Sequence, residues 1–211
     1  MNIKRYFLFL FLLLLISTQL WATPCCGPIN EKAQSMEKIF DQMNVEKLWL
    51  EGSHVDWETG LSDKPNGYRG ADTHSHCSAF AAALTKKLGA HLLTPLEHPD
   101  IFLASAQAKW LLSNEGIKNG WKRILEMKEA QKLANDGEIV IASFPSEKEN
   151  KSGHIAIIRP SLKSIAELES DGPQIIQAGK NNYSSTSVRI GFINHKNAFP
   201  SKILYFYHMT R

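Results

Sequence analysis

Short strand-like runs fill the second half of the chain and follow one another without a helix-length pattern between them. They are rich in Ile, Val, Phe and Tyr, and Gly, Pro, Asn and Ser separate them. Parallel strands need long crossover connections, so this order predicts an α+β fold with a mainly antiparallel sheet of about five strands. The predicted strands are Glu138–Phe144, His154–Arg159, Gln174–Ala178, Ser187–Phe192 and Ile203–Met209.

Helical spacing of apolar residues dominates the part of the chain before these strands. Between residues 31 and 50 the apolar residues recur near helical intervals, which predicts an amphipathic helix. A second helix is predicted over residues 77–88, with Cys77 on the same stripe as its large apolar side chains and Gly89 as its C-terminal cap. Two further helices are predicted over residues 99–113 and 119–135.

The N-terminus has the pattern of a secretory signal. Lys4 and Arg5 precede ten apolar residues, and a short polar stretch then leads to Ala22. We expect cleavage after Ala22, which removes residues 1–22 and directs the protein to the periplasm or the outside of the cell. Ten apolar residues are too few for a membrane span, for which about 20 are needed, so we expect no stable membrane insertion after cleavage. A retained membrane helix and a lipid anchor at Cys25 or Cys26 are the alternatives.

Cleavage would leave 189 of the 211 residues, about one ordinary domain. Lys4 and Arg5 are the only charged residues of the signal, so the net charge would fall from +3 to +1. This balance gives no support to nucleic-acid binding.

The chain contains three cysteines, an odd number for an exported protein. Cys77 is the natural unpaired one. The adjacent Cys25 and Cys26 can bridge each other, pair with another molecule or remain reduced, and the sequence does not decide between these.

Cys77 and His154 form a candidate nucleophile and base. A thiol at a helix N-terminus feels the positive end of the helix dipole, which favours the thiolate. An imidazole on a neighbouring strand can take its proton. A lone cysteine is more often a core residue and a lone histidine a structural one, but their joint order favours catalysis.

The order of these motifs resembles the papain-like NlpC and CHAP cell-wall amidases. A helix-borne Cys comes first, a Gly-His pair then opens a strand, and a polar residue follows on the next strand. The resemblance covers roughly residues 68–192. Its most specific parts are Gly153-His-Ile-Ala-Ile-Ile-Arg-Pro and Gly172-Pro-Gln-Ile-Ile-Gln-Ala-Gly. It implies a papain-like domain over residues 68–211, in which the Cys helix packs on the sheet, after an N-terminal extension over residues 23–67.

The resemblance also implies roles for three residues. Cys77 would be the nucleophile, His154 the general base and acid, and Gln177 the group that orients the imidazole. A neutral Gln can fix the tautomer but stabilises an imidazolium less than a carboxylate does. Asn181 or Asn182 would add a polar contact near the site. The implied activity is that of a cysteine amidase or endopeptidase without metal or cofactor, acting on peptidoglycan stem peptides or another peptide.

Two alternatives belong to other functional classes. Asp72, His74, His76 and Cys77 place four possible metal ligands within six residues, which suits a metal-dependent hydrolase, with His154 as a further ligand. A non-catalytic cell-wall binding module is the second alternative, although an inactive relative is expected to lose Cys77 or His154, and both are present.

Overall fold

The computed structural model describes residues 24–70, 73–98, 103–147 and 152–210. The predicted signal peptide, residues 1–22, and Asp72 of the candidate metal cluster lie outside these ranges. In the described part, no helix has the length and apolar character needed to cross a bilayer.

A six-stranded sheet organises the structure, and every neighbouring pair of strands in it is antiparallel. The predicted α+β class and antiparallel sheet are therefore confirmed, with one strand more than expected. The strands are β1 (Trp121–Ile124), β2 (Ile139–Phe144), β3 (His154–Ile158), β4 (Gln174–Gln177), β5 (Tyr183–Ser187) and β6 (Leu204–His208), in the order β1-β6-β2-β3-β4-β5. The helices are α1 (Glu31–Gln42), α2 (Cys77–Lys87), α3 (Leu103–Leu112), α4 (Asn114–Lys118), α5 (Met127–Asn135), α6 (Ile165–Asp171) and α7 (Val188–Gly191).

Both faces of the sheet are covered, which gives the protein two cores. We call them the α2-side core and the α5-side core. On β3, Ile155 and Ile157 belong to the α2-side core, whereas Ala156 and Ile158 belong to the α5-side core. Side chains of a strand alternate between faces, so a strand buried on both sides must be apolar throughout, as β3 is after His154.

Helix α2 is central to its core because it is surrounded by protein. All of its residues from Cys77 to Thr85 are buried, and the run of alanines lets neighbouring elements approach closely. The helix ends in a Schellman motif, with the N–H of Ala90 bonded to Thr85 O and the N–H of Gly89 bonded to Lys86 O. Gly89 has a φ of +82°, which confirms it as the predicted cap.

Three predicted elements differ from the structure. The helix expected over 31–50 ends at Gln42, where Asn44 follows with a φ of +50° that helices do not continue. The helix expected over 119–135 is wrong in its first part, since β1 occupies residues 121–124 and pairs with β6. The strand expected over 187–192 is wrong as well: Ser187 caps the short helix α7, and the strand lies just before it as β5.

The segment before α2 packs against the rest of the chain. Met36, Phe40 and Trp49 join the α2-side core, and the Trp49 ring meets Phe80 edge to face at 5.2 Å. Cys25 and Cys26 form the vicinal disulfide, one of the three arrangements that the sequence left open.

Asn135 ties this N-terminal segment to the sheet. It is fully buried, and its Nδ2 donates to Gly27 O at 3.1 Å and to Ser161 O at 2.9 Å, while its Oδ1 accepts from the N–H of Ser161 at 2.9 Å. One side chain thus satisfies backbone groups of two distant segments.

Replacing Asn135 with Ala should lower the free energy of unfolding by about 3 kcal/mol, because buried backbone groups would lose their partners. Urea denaturation measures this loss. Asn119→Ala is the matched control, since Asn119 Nδ2 bonds only Glu115 O in its own helix, and it should cost less than about 1 kcal/mol. Equal losses in the two variants would contradict the anchoring role of Asn135.

Candidate active site

His154 opens β3 and is held by Gln177 on the neighbouring strand. The ring nitrogen Nε2 of His154 lies 2.8 Å from Oε1 of Gln177, and both residues are buried. The hydrogen bond expected between these two side chains is therefore present.

The amide of Gln177 is oriented by a second contact, which decides the tautomer of His154. Its Nε2 donates to the carbonyl oxygen of Asn181 at 3.2 Å, so Oε1 is the atom that faces the imidazole. Oε1 can only accept, so the His154 Nε2 must carry the proton. Nδ1 then has a free lone pair, which is the form a general base requires.

Two glycines make room for this pair. A Cβ on Gly191 would lie 2.4 Å from Gln177 Oε1, and one on Gly179 would lie 3.3 Å from Cε1 of His154. Any side chain at position 191 would displace the Gln177 amide.

A third residue covers the ring of His154 and was not predicted. The imidazole of His195 stacks on it at a centroid distance of 5.1 Å and an interplanar angle of 15°, and Phe192 meets it edge to face at 4.6 Å. No motif or spacing in the sequence marks His195, because it follows α7 as an isolated histidine in a turn.

The surroundings keep His154 neutral. Burial lowers the pKa of His154 to about 4; the Gln177 hydrogen bond acts in the opposite direction, and the charge of His195 lowers it further. Burial also lowers the pKa of His195. The site at neutral pH therefore contains two uncharged, stacked imidazoles.

The loop before His154 is fixed by one serine. Ser105 Oγ on α3 accepts hydrogen bonds from the backbone N–H groups of Gly153 and Ser146, each at 3.1 Å. A Cβ on Gly153 would lie 2.3 Å from the Phe144 carbonyl oxygen, so the Gly-His motif needs its glycine to start β3 at this position.

Cys77 is the first residue of α2, as predicted, but its thiol is buried and only 4% of the residue is exposed. Burial raises the pKa of the thiol to about 11, against the opposing effect of hydrogen bonds from the backbone N–H groups of Ile155, Ser78 and Cys77. The backbone donors at the helix terminus do favour the thiolate, as expected, but desolvation outweighs them and the thiol is the resting form.

The thiol and the imidazole reach the start of β3 from different layers. Cys77 belongs to the α2-side core, whereas the ring of His154 contacts Phe192 of the α5-side core. The sulfur faces the N–H of Ile155, the residue next to His154. No hydrogen bond among the described residues joins the thiol to the His154 ring.

The candidate metal ligands do not converge in the part of the chain that the structure describes. The His76 Nε2 lies 2.9 Å from the carbonyl oxygen of Ser53, and His74 is exposed. No group of three or more His, Cys, Asp or Glu side chains suited to a metal ion occurs among the described residues.

Asn181 and Asn182 have different roles. Asn181 contributes its backbone carbonyl to the Gln177 amide. The Asn182 side chain supports the turn instead: Oδ1 accepts from the N–H of Gly179 at 2.9 Å, and Nδ2 donates to the carbonyls of Val45 at 2.7 Å and Leu48 at 2.8 Å. The polar contact expected from this pair is thus made to Gln177 and to the backbone.

A cavity of about 170 Å³ opens beside the His154–Gln177 pair. Its walls come from the start of β3, from the turn between β4 and β5, from α7 with the residues that follow it, and from Ser75 before α2; Cys77 is not among the described lining residues. His195 is part of the wall, so the stacked imidazoles border the space where a ligand would lie.

No protein-family model matches this chain. A comparison with curated proteins finds no match either.

The buried neutral His154 makes stability depend on pH. The unfolded chain takes up a proton near the ordinary histidine pKa of 6.5, whereas the native ring does so only near 4. Native stability is therefore complete above 6.5 and declines as the pH falls through this window. The free energy of unfolding should drop by about 2 kcal/mol between pH 7 and pH 5 from this residue alone.

Two measurements check this prediction. An NMR titration should give His154 a midpoint near 4, and urea denaturation at both pH values should show a smaller acid loss in His154→Gln than in the wild type. His195 acts in the same direction and remains in both proteins. A midpoint for His154 near 6.5 would contradict the neutral, desolvated site.

Proposed function

We propose that the protein is an exported cysteine amidase or endopeptidase that hydrolyses amide bonds through Cys77, with peptidoglycan stem peptides as its substrate. The observation that carries the proposal is the arrangement at the start of β3. His154 is held by Gln177 in the tautomer of a general base, and the thiol of Cys77 faces the N–H of the next residue.

The reaction would proceed by acyl transfer. The sulfur of Cys77 attacks the amide carbonyl while its proton passes to Nδ1 of His154, and His154 then gives that proton to the departing amine. Water attacks the resulting thioester, with His154 taking its proton, and the acid is released as the thiol re-forms. The N–H groups of Cys77 and Ser78, which act on the thiol at the start of α2, would be the donors to the oxyanion.

The electrostatics constrain this chemistry. Since burial favours the neutral forms of Cys77 and His154, the nucleophile would form only as the proton moves, rather than as a resting thiolate. The thiol and the ring also lack a hydrogen bond and belong to different layers, so the transfer requires a rearrangement that brings the sulfur and Nδ1 together. Catalytic hydrogen bonds often tighten only when substrate is bound.

The substrate class rests on two sequence arguments. The N-terminal signal pattern indicates export, and the motif order resembles cell-wall amidases. The polar cavity beside His154 suits one small polar group of a peptide, since it offers amide and hydroxyl groups from Asn194, Ser75 and Ser152.

Removing the sulfur tests the proposal directly. Cys77→Ala should fold normally and lose hydrolysis of purified muropeptides by at least about a thousandfold, because the proposed nucleophile is gone. Mass spectrometry of the products measures the rate and identifies the bond. Hydrolysis that survives in Cys77→Ala would contradict the mechanism, and its loss with a chelator would point to the metal cluster.

The role of Gln177 gives a second test. Gln177→Ala should reduce turnover by roughly ten- to a thousandfold, because the imidazole would lose its orientation. Gln177→Glu should retain much more activity. A carboxylate accepts the same hydrogen bond and raises the pKa of His154, so the activity optimum should move to higher pH.

A second glutamine of the same strand, Gln174, supplies the control for this test. Gln174 lies on β4 as well, but its Nε2 bonds Ser185 Oγ at the surface. Gln174→Ala should keep wild-type turnover. If Gln177→Ala also does so, the orienting role of Gln177 is wrong.

A further inference from the structure

The cavity beside His154 has a size that limits its ligand. Its volume is about 170 Å³, and an apolar cavity of about 150 Å³ is known to hold a benzene molecule. It therefore has room for one small group of a few heavy atoms and not for a large ring system.

The cavity wall is unbalanced in charge. Of the described lining residues, none is Asp or Glu, whereas Lys180 and His195 carry or can carry a positive charge. Lys180 makes no ion pair within the described ranges of the chain. Some other lysines are in ion pairs, as in Lys32–Glu138 and Lys202–Glu147, and others such as Lys109 have none among the described residues, so what distinguishes Lys180 is its place in the cavity wall.

The remaining polar groups of the wall suit an anion. The side chains of Asn181, Asn194, Ser75 and Tyr183 all carry N–H or O–H donors. A charged ligand oxygen forms stronger hydrogen bonds with such donors than a neutral one does. The volume, the lysine and these donors together fit a small planar anion such as a carboxylate.

We propose that this cavity is a subsite for a carboxylate-bearing residue of the substrate, with Lys180 as the counter-ion of the carboxylate. The role of the cavity in substrate specificity rests on the amidase function proposed above. The binding of a carboxylate in the cavity does not depend on that function. The carboxylate can be the C-terminal group of a peptide or an acidic side chain, because both present the same two oxygens.

A carboxylate in this position would also act on the general base. The titratable or charged groups that share this cavity with the His154 ring are His195 after α7 and Lys180 in the β4–β5 turn, whereas Cys77 lies in the α2-side core. None of them is an anion at neutral pH. A bound carboxylate would favour the imidazolium and so raise the pKa of His154 when substrate is present.

Matched substrates test the subsite in the active enzyme. We would compare stem peptides that end in a carboxylate with the same peptides as carboxamides, and peptides containing Glu with their Gln counterparts. In each pair that uses the subsite, the wild type should have a KM about tenfold lower for the acid. Lys180→Gln should abolish that difference by raising the KM for the acid alone, since a tenfold ratio corresponds to one interaction of about 1.4 kcal/mol.

The choice of control separates local from general charge effects. Lys109 is an exposed lysine on α3 and is not part of the cavity wall. Lys109→Gln changes the net charge equally and should leave the KM ratio unchanged. The substrate pair whose acid and amide differ in KM shows whether the carboxylate is the C-terminal group or an acidic side chain.

A binding experiment keeps the subsite and the proposed function distinguishable. N-acetylalanine and N-acetylglutamate α-amide would be titrated into the exported Cys77→Ala chain, with N-acetylalaninamide and N-acetylglutamine α-amide as neutral controls. NMR would follow the amide signal of Gly179 and the midpoint of His154. At least one of the two acids should shift both the Gly179 amide signal and the His154 midpoint, whereas its neutral control should shift neither. In Lys180→Gln the acid should no longer cause these shifts.

The outcomes then separate. Carboxylate binding without hydrolysis of any peptide would support the subsite and overturn the amidase proposal. Hydrolysis with equal KM for acids and amides in both the wild type and Lys180→Gln would support the amidase and overturn the subsite. Binding that persists in Lys180→Gln would also overturn the role of Lys180.

Discussion

The structure depends on β2 and β3 being buried on both faces. Because side chains alternate along a strand, a slip by one residue would exchange the sets that face the two cores, and register is therefore strongly specified. Ile155 and Ile157 face α2, while Ala156 and Ile158 face α5. The same alternation sends the ring of His154 toward Phe192 and the side chain of Ile155 into the core that contains Cys77, so the two candidate catalytic residues approach the start of β3 from different layers.

Gln177 explains how a histidine can be buried without a carboxylate. The Oε1 of Gln177 accepts a hydrogen bond from Nε2–H of His154, and the Nε2 of Gln177 donates to the Asn181 carbonyl. Each of these polar atoms therefore has a partner. A carboxylate in place of Gln177 would hold a charged imidazole more firmly. A neutral amide does not, and burial therefore determines the pKa. The tautomer is controlled here by hydrogen-bond geometry, with no ion pair.

The sequence was sufficient for elements whose local signals agree with their environment. The apolar runs of β2, β3 and β6 and the alanine-rich α2 with Gly89 were predicted from local patterns, whereas the contact of His154 with Gln177 was implied by the resemblance. It was not sufficient for β1, whose four residues become a strand because β6 offers them partners, or for β5, whose polar Tyr-Ser-Ser-Thr-Ser sequence has no apolar pattern. His195 and the buried state of Cys77 depend on tertiary packing, which no local spacing reveals.

The burial that stabilises the site also determines how it can react. With Phe192 and His195 covering the ring of His154, and α2 enclosing Cys77, the free protein gains by keeping both groups neutral. Proton transfer between them would create a thiolate and an imidazolium, and the described wall of the cavity contains no carboxylate to stabilise the imidazolium. An anionic substrate would bring that negative charge itself, next to the base that has to accept the proton. If the proposed function and subsite hold, substrate binding and activation of the general base would be one electrostatic event.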